Sequence, residues 1–234
     1  MKNNQVISAV ILALGIVCLG WLIKAGIDDF VNKDRNVNVK GLAEREVEAD
    51  KVTWPIVSKE LGNDLPELYE KIGATQTKIR QFLQRSGIKA QQIEVNAPQV
   101  VDVKAREYGD NNQPYRYIVT SVITVTSDEV KKVREIIARQ GDLLKEGVAI
   151  VDGSYENPVK YDFVSFQEMK PKMMQEAIEN AEKTAQQFAE NSHSELNKIV
   201  SADQGQFSIE DRDSNTPYIK KVRVVTTVTY SLKD

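Results

Sequence analysis

"VKGLAEREVEADKVTW", Val39–Trp54, is the stretch whose reading decides the fold. Val39, Gly41, Ala43, Val47 and Ala49 are apolar or small, and Lys40, Glu44, Glu46, Glu48 and Asp50 alternate with them. A period of two marks a strand with one buried face, because successive side chains leave a pleated backbone on opposite sides. The pleat also accounts for the row of carboxylates, which point to solvent together while the small residues pack beneath. Same-face neighbours on a strand lie roughly 7 Å apart, too far for two carboxyls to share a proton. No histidine is close in sequence. The row is expected to be a wet strand face and not a catalytic or metal site.

Downstream, "VTWPIVSKEL" (52–61) reads as a second strand, and "NDLPELYEKIGATQTKIRQFLQRSG" (63–87) changes the period. Leu65, Leu68, Ile72, Thr75, Ile79, Phe82 and Leu83 fall three or four apart, which predicts an amphipathic helix. Asp64 can cap it with Glu67 closing the box, Pro66 is tolerated in its first turn, and Gly87 can end it. "QIEVNAPQVVDVKAR" and "PYRYIVTSVITVTS" alternate again, separated by the hairpin-like loop "EYGDNNQ" (107–113). A shorter helix is expected over 128–140, with Thr126 and Glu129 as its capping box, followed by strand-like "GVAIV" and "VKYDFVS".

The longest soluble helix is read in "KMMQEAIENAEKTAQQFAEN", with the apolar stripe Met173, Met174, Ala177, Ile178, Ala181, Ala185, Phe188 and Ala189. Met173, Met174 and Phe188 could grip a partner, although helical spacing favours core packing. "LNKIVSAD" and "YIKKVRVVTTVTYSL" close the chain as strands, around the loop "DRDSNT". The expected class is α+β, with antiparallel-rich sheets and two long amphipathic helices.

"NQPYRYIVTSVITVT" from Asn112 aligns with "NTPYIKKVRVVTTVT" from Asn215, an offset of 103 that also pairs Pro55 with Pro158. Asn112, Pro114 and Tyr115 recur as Asn215, Pro217 and Tyr218, a match more specific than the valines and threonines around it. This reads as a duplicated strand-helix-strand-strand unit, with halves at about 37–127 and 128–234. The prolines are expected at strand starts or edges, where a missing N–H is tolerated.

Ahead of this domain, "VISAVILALGIVCLGWLI" (6–23) is a run of residues without a charge. At about 1.5 Å per helical residue it reaches roughly 27 Å, close to a bilayer's hydrocarbon thickness, and Trp21 suits an interface. Residues 1–24 are therefore read as one transmembrane helix that anchors the chain, 25–36 as a polar linker, and 37–234 as the domain. A cleaved signal peptide is the rival reading, but "WLIKAGIDDF" offers no clean small-x-small site. "GIVC", ending at Cys18, is a minor lipoprotein alternative in which Val17 stands where a small residue is wanted. Lys2 precedes the span and Lys24, Lys33 and Arg35 follow it, so charge does not fix the orientation. The usual build of exported anchored proteins places the domain outside the cytoplasm, tethered by a single pass to the inner membrane.

The rest of the composition excludes chemistry more than it assigns any. Cys18, the only cysteine, lies inside the span, which leaves the domain no thiol for a disulfide, a metal or nucleophilic catalysis. His193, the only histidine, sits in "ENSHSEL" just past the long helix, where a loop or helix-end role is expected. Cys/His dyads, serine triads with a usual base and His-rich metal sites are thereby removed. Beyond Ala25 there are 29 Lys plus Arg against 34 Asp plus Glu with the signs interspersed, no surface for nucleic acid. A hydrolase relying on carboxylates alone stays open through Asp50, Glu60, Asp102 or Asp162. No catalytic, cofactor or metal residue is assigned, and no cofactor is expected.

Three stretches together resemble the SIMPL-domain family of bacterial exported and envelope proteins. They are "VKGLAEREVEADKVTW"; "SGIKAQQIEVNAPQV", the turn after the first domain helix; and "QEAIENAEKTAQQFAE" leading into "LNKIVS". The similarity covers nearly all of Val39–Leu232. It departs at "ENSHSELNKIV", where the family usually has a glycine-containing helix end. The resemblance implies an α+β domain behind an export signal or anchor, frequently an oligomer, with links to envelope stress in some members and no established catalytic residues.

Function is therefore expected to lie in non-enzymatic self-assembly or binding in the envelope, as a homo-oligomer whose small-molecule ligand, if any, is unknown. The alternatives are a carboxylate hydrolase acting on envelope material, or a ring- or pore-like oligomer. Open sheet edges would carry the assembly. Tyr115–Ser127 and Tyr218–Leu232 are the candidate edges, since "VVTTVTY" (224–230) has neither charge nor proline, unless those strands are central and already paired.

Overall fold

A computed structural model describes residues 2–32, 35–105, 113–151 and 156–233. Asn112, most of the "EYGDNNQ" loop, and residues 33 and 34 of the expected linker lie outside these. Helix α1 spans Lys2–Asn32 and so continues through the first residues read as linker. Its described side chains are those of 12–27, and part of the expected span 6–23 lies outside them. Among the described residues no helix is long and apolar enough to cross a membrane.

After α1 come strands β1 (Asn36–Glu48) and β2 (Lys51–Gly62), helix α2 (Leu65–Arg85), and strands β3 (Ile93–Val95), β4 (Gln99–Asp102) and β5 (Tyr117–Ser127). Helices α3 (Val130–Ala138) and α4 (Gly141–Lys145) and strands β6 (Ile150–Val151) and β7 (Lys160–Asp162) follow. Helix α5 (Phe166–Asn191) and strands β8 (Glu195–Asp211) and β9 (Ile219–Lys233) complete the chain. Contacts divide it into two interleaved units, one of Met1–Arg45, Glu168–Ser208 and Val222–Asp234, the other of Glu46–Gln167 and Ile209–Lys221.

In the first unit the strand order is β1-β9-β8. The decisive stretch behaves as its pattern predicts: Val39, Gly41 and Ala43 are buried, and Lys40, Leu42 and Glu44 are exposed. The buried face meets α5, whose Ala177, Ala181, Ala185 and Ala189 are fully buried at four-residue intervals. Only a small stripe lets the helix come this close. A Cβ at Gly41 would collide with the Ala177 carbonyl oxygen and stand 2.7 Å from the Ala181 nitrogen. The expected apolar stripe is thus narrower than read. Met173 belongs to it, whereas Ile178 and Phe188 are 39% and 57% exposed. Asn180 Nδ2 donates to the Leu42 carbonyl (2.8 Å) and Arg45 pairs with Glu176 (2.8 Å), fixing the register of strand on helix.

Helix α5 ends at the single histidine. His193 adopts φ +55°, the left-handed turn that glycine usually supplies, and its N–H donates to the Glu190 carbonyl while that of Ser194 donates to Ala189. This turn lies in "ENSHSEL", where the resemblance implies a glycine-containing helix end. The fold keeps the turn and tolerates a residue strained there by about 1 kcal/mol. His193→Gly is accordingly expected to raise stability by about 1 kcal/mol in a urea melt. An unchanged midpoint would mean that the imidazole makes a compensating interaction.

In the second unit the strand order is β3-β5-β2-β6, with β4 also beside β5 and β7 beside β2. Strands β2 and β5 form one long antiparallel ladder from Val52↔Ser127 to Gly62↔Tyr117. Helix α2 lies against it through Ile79, Phe82 and Leu83, which join Trp54, Ile56, Ile123 and Val125 in the core. Asp64 accepts the Glu67 N–H (3.0 Å) as the expected cap, and Gly87 ends the helix at φ +87°. The capping box expected of Thr126 and Glu129 is not formed: Glu129 is itself the N-cap of α3 and makes no side-chain cap bond. Ser127, the last residue of β5, accepts the Glu129 N–H (3.0 Å), while Thr126 stays in the ladder opposite Thr53.

Two expectations about strands are corrected. Strand β5 is central, paired to β2 on one side and to β3 and β4 on the other, and β9 is central between β1 and β8. The long Val/Thr-rich strands are therefore not edges, and their lack of charge reflects pairing on both sides. The edges of the β2–β5 sheet are the two- to four-residue strands β3, β4, β6 and β7. Pro55 lies mid-strand, opposite Thr124, where the outer side of β2 is unpaired, so it meets the expectation through a local edge and not a strand start.

Candidate functional site

The outer side of β2 explains why a proline can sit mid-strand. Strand β7 pairs with Lys51–Thr53 and β6 with Val57 and Ser58, so the three residues around Pro55 face a gap between two short partners. No N–H is required there. The gap opens into a cleft of about 620 Å³. Trp54 and Pro55 contribute from β2, Ile150 and Val151 from β6, and Asn157, Pro158 and Val159 from the approach to β7. The opposite wall is the junction of α3 and α4, from Ile137 and Ala138 through Gln140 and Gly141 to Leu144. Trp54 is 3% exposed, whereas Leu144 is 61% exposed.

None of these residues is ionisable. Among the described lining residues the side-chain polar groups are the carboxamides of Gln140 and Asn157, each of which can donate and accept, and the indole N–H of Trp54. These described side chains offer an apolar surface with uncharged donors and acceptors.

A second cleft, of about 520 Å³, is lined by Glu48, Ala49, Asp50 and the 128–132 stretch. Three of its four described acids are engaged: Glu48 pairs with Lys131 (3.1 Å), Glu129 with Lys132 (2.8 Å), and Asp50 with backbone N–H groups. Asp50, in the bend between β1 and β2, clamps the segment before α5, accepting the N–H groups of Val164 (2.6 Å) and Ser165 (2.8 Å). Burial works against its ionised form, but these bonds and that of the Ser165 side chain overcome it and hold the carboxyl below the usual carboxylate range. An acid held ionised and saturated with donors is a poor proton source.

The other carboxylates considered for hydrolysis lie elsewhere. Arg116 contacts Asp102 at 2.9–3.0 Å and holds its pKa down. Glu60 accepts the Thr75 hydroxyl (3.3 Å), and Asp162, on β7, offers its carbonyl to the Asp50 N–H (3.0 Å). Of the four, only Asp50 lines either cleft. The solvent row is likewise structural. Glu46 meets Arg212 (3.4 Å) and Glu48 meets Lys131, exposed pairs that solvent largely screens. Among the described residues no group of three or more His, Cys, Asp or Glu side chains could hold a metal ion.

Sequence reasoning missed the uncharged cleft, because it is built by a strand gap and by a helix break at Gln140–Gly141 that was read as the end of one helix. The available signal was the pair Pro55 and Pro158, which both line it.

The chain is thus an α+β protein of antiparallel sheets and helices. The family model SIMPL, described as "Protein of unknown function (DUF541)", matches residues 37–230, and the chain belongs to that family. No curated protein matches it.

Proposed function

We propose that the protein is a membrane-anchored, non-enzymatic domain of the cell envelope, held by residues 6–23 on the extracytoplasmic side of the inner membrane, that acts by binding or self-assembly. The observation that carries this reading is the surface of α1. Nine large apolar side chains between Leu12 and Ile27 are 55–75% exposed, including Trp21 at 75% and Val17 at 68%. Full burial of such a side chain is worth about 1.5–3 kcal/mol, so a helix that leaves nine in water is driven toward an apolar surrounding. The engagement of Asp50 and Asp102 in hydrogen bonds and ion pairs, and the uncharged cleft, favour binding over hydrolysis.

A single-thiol protein tests the anchoring. Cys18→Ser combined with Ser214→Cys leaves one cysteine in the exposed "DRDSNT" loop. In intact cells with the outer barrier permeabilised, a membrane-impermeant maleimide is expected to label it. Labelling only in inside-out vesicles would reverse the topology, and recovery of the chain in the soluble fraction would reject the anchor.

A further inference from the structure

We infer that the cleft beside Pro55 is a binding site for an uncharged, largely apolar small molecule carrying an amide, carbonyl or hydroxyl group. This deepens the binding reading above and is independent of which side of the membrane the domain occupies. A volume of about 620 Å³ falls within the range of small-molecule sites, roughly 300–1,000 Å³. The class of ligand follows from what lines it. Among the described lining residues an ion entering the cleft would lose hydration and meet no opposite charge, which disfavours it. An apolar body instead finds Trp54, Pro55, Ile150 and Val159 on the sheet side. Across from them it covers Leu144, a large apolar side chain that the free protein leaves 61% exposed. The carboxamides of Gln140 and Asn157 supply donors and acceptors without charge, which fits a neutral polar group on the ligand and penalises a bare hydrocarbon. The gap in the sheet keeps the site open: β7 and β6 flank the stretch 54–56 on the outer side of β2, and Pro55 within it offers no N–H for a further strand.

The site carries its own reporter. The chain has two tryptophans, and Trp21→Phe leaves Trp54, a wall of the cleft, as the only one. Full-length Trp21→Phe protein in lipid nanodiscs is titrated with three probes of similar shape: N-cyclohexylcyclohexanecarboxamide, dicyclohexylammonium and dicyclohexylacetate. The neutral amide is expected to change Trp54 emission saturably, and each ion to bind at least tenfold more weakly. Adding Leu144→Asp, at an exposed position, is expected to leave the melting temperature unchanged, weaken the amide at least tenfold and favour the cation. Equal binding of amide and ions, no saturable response to the amide, or an amide affinity untouched by Leu144→Asp would each overturn the assignment. Leu144→Met should keep the amide response, which separates loss of the apolar wall from an incidental change at that position.

Discussion

Gly41→Val is expected to unfold the unit that contains α5, lowering stability by at least about 3 kcal/mol in a denaturant melt. The cause is backbone proximity. The Cβ of any larger residue would occupy the position of the Ala177 carbonyl oxygen and crowd Ala181, so the helix would have to lift from β1 along its length. Lifting it would also expose the alanine stripe and part the cluster in which Val39 meets Ala181, Ala185, Val228 and Tyr230. A substitution on the other face of the same strand separates this from a general intolerance of β1. Glu44→Val places the same side chain on the solvent face and is expected to change stability by less than about 0.5 kcal/mol. Similar melts for the two variants would mean that α5 does not rest on Gly41.

The contrast also shows what could be read from sequence. Alternation from Val39 to Ala49 assigned both faces of β1, and helical spacing located α2 and most of α5, because burial imposes those periods directly. Narrow packing was half legible: Gly41 and the alanines stood out separately, but only their contact explains why both must be small. Pairing order was not legible. A central strand in an antiparallel sheet and an exposed edge can both be rich in valine and threonine, and the difference for β5 and β9 depends on which distant segments lie beside them. The cleft was hidden for the same reason. Its walls come from three segments between Trp54 and Val159, and its uncharged character is a property of their assembly that no single stretch displays. Asp50 was visible as an acid in an alternating row, yet its partners Val164 and Ser165 are more than a hundred residues away.

Thr227→Pro puts the position of β9 to the test. If β9 were an edge strand recruited for assembly, a proline there would remove an intermolecular bond and release folded monomers. With β1 on one side and β8 on the other, whichever way the residue 227 N–H points it faces a neighbouring strand. Proline removes that donor, fixes φ and crowds the ladder, at a cost of about 3 kcal/mol or more in a regular element. Thr227 also lies between Thr226 and Val228, both buried, so the strand cannot bulge outward without moving core residues. The expected result is therefore loss of folded protein rather than a change of oligomeric state, read as a collapse of the urea midpoint together with lost near-ultraviolet dichroism. Thr227→Val, which keeps the N–H and suits a strand, is expected to remain within about 0.5 kcal/mol of the parent. A folded, monomeric Thr227→Pro protein would place β9 at an edge and return self-association to the strand first suspected of it.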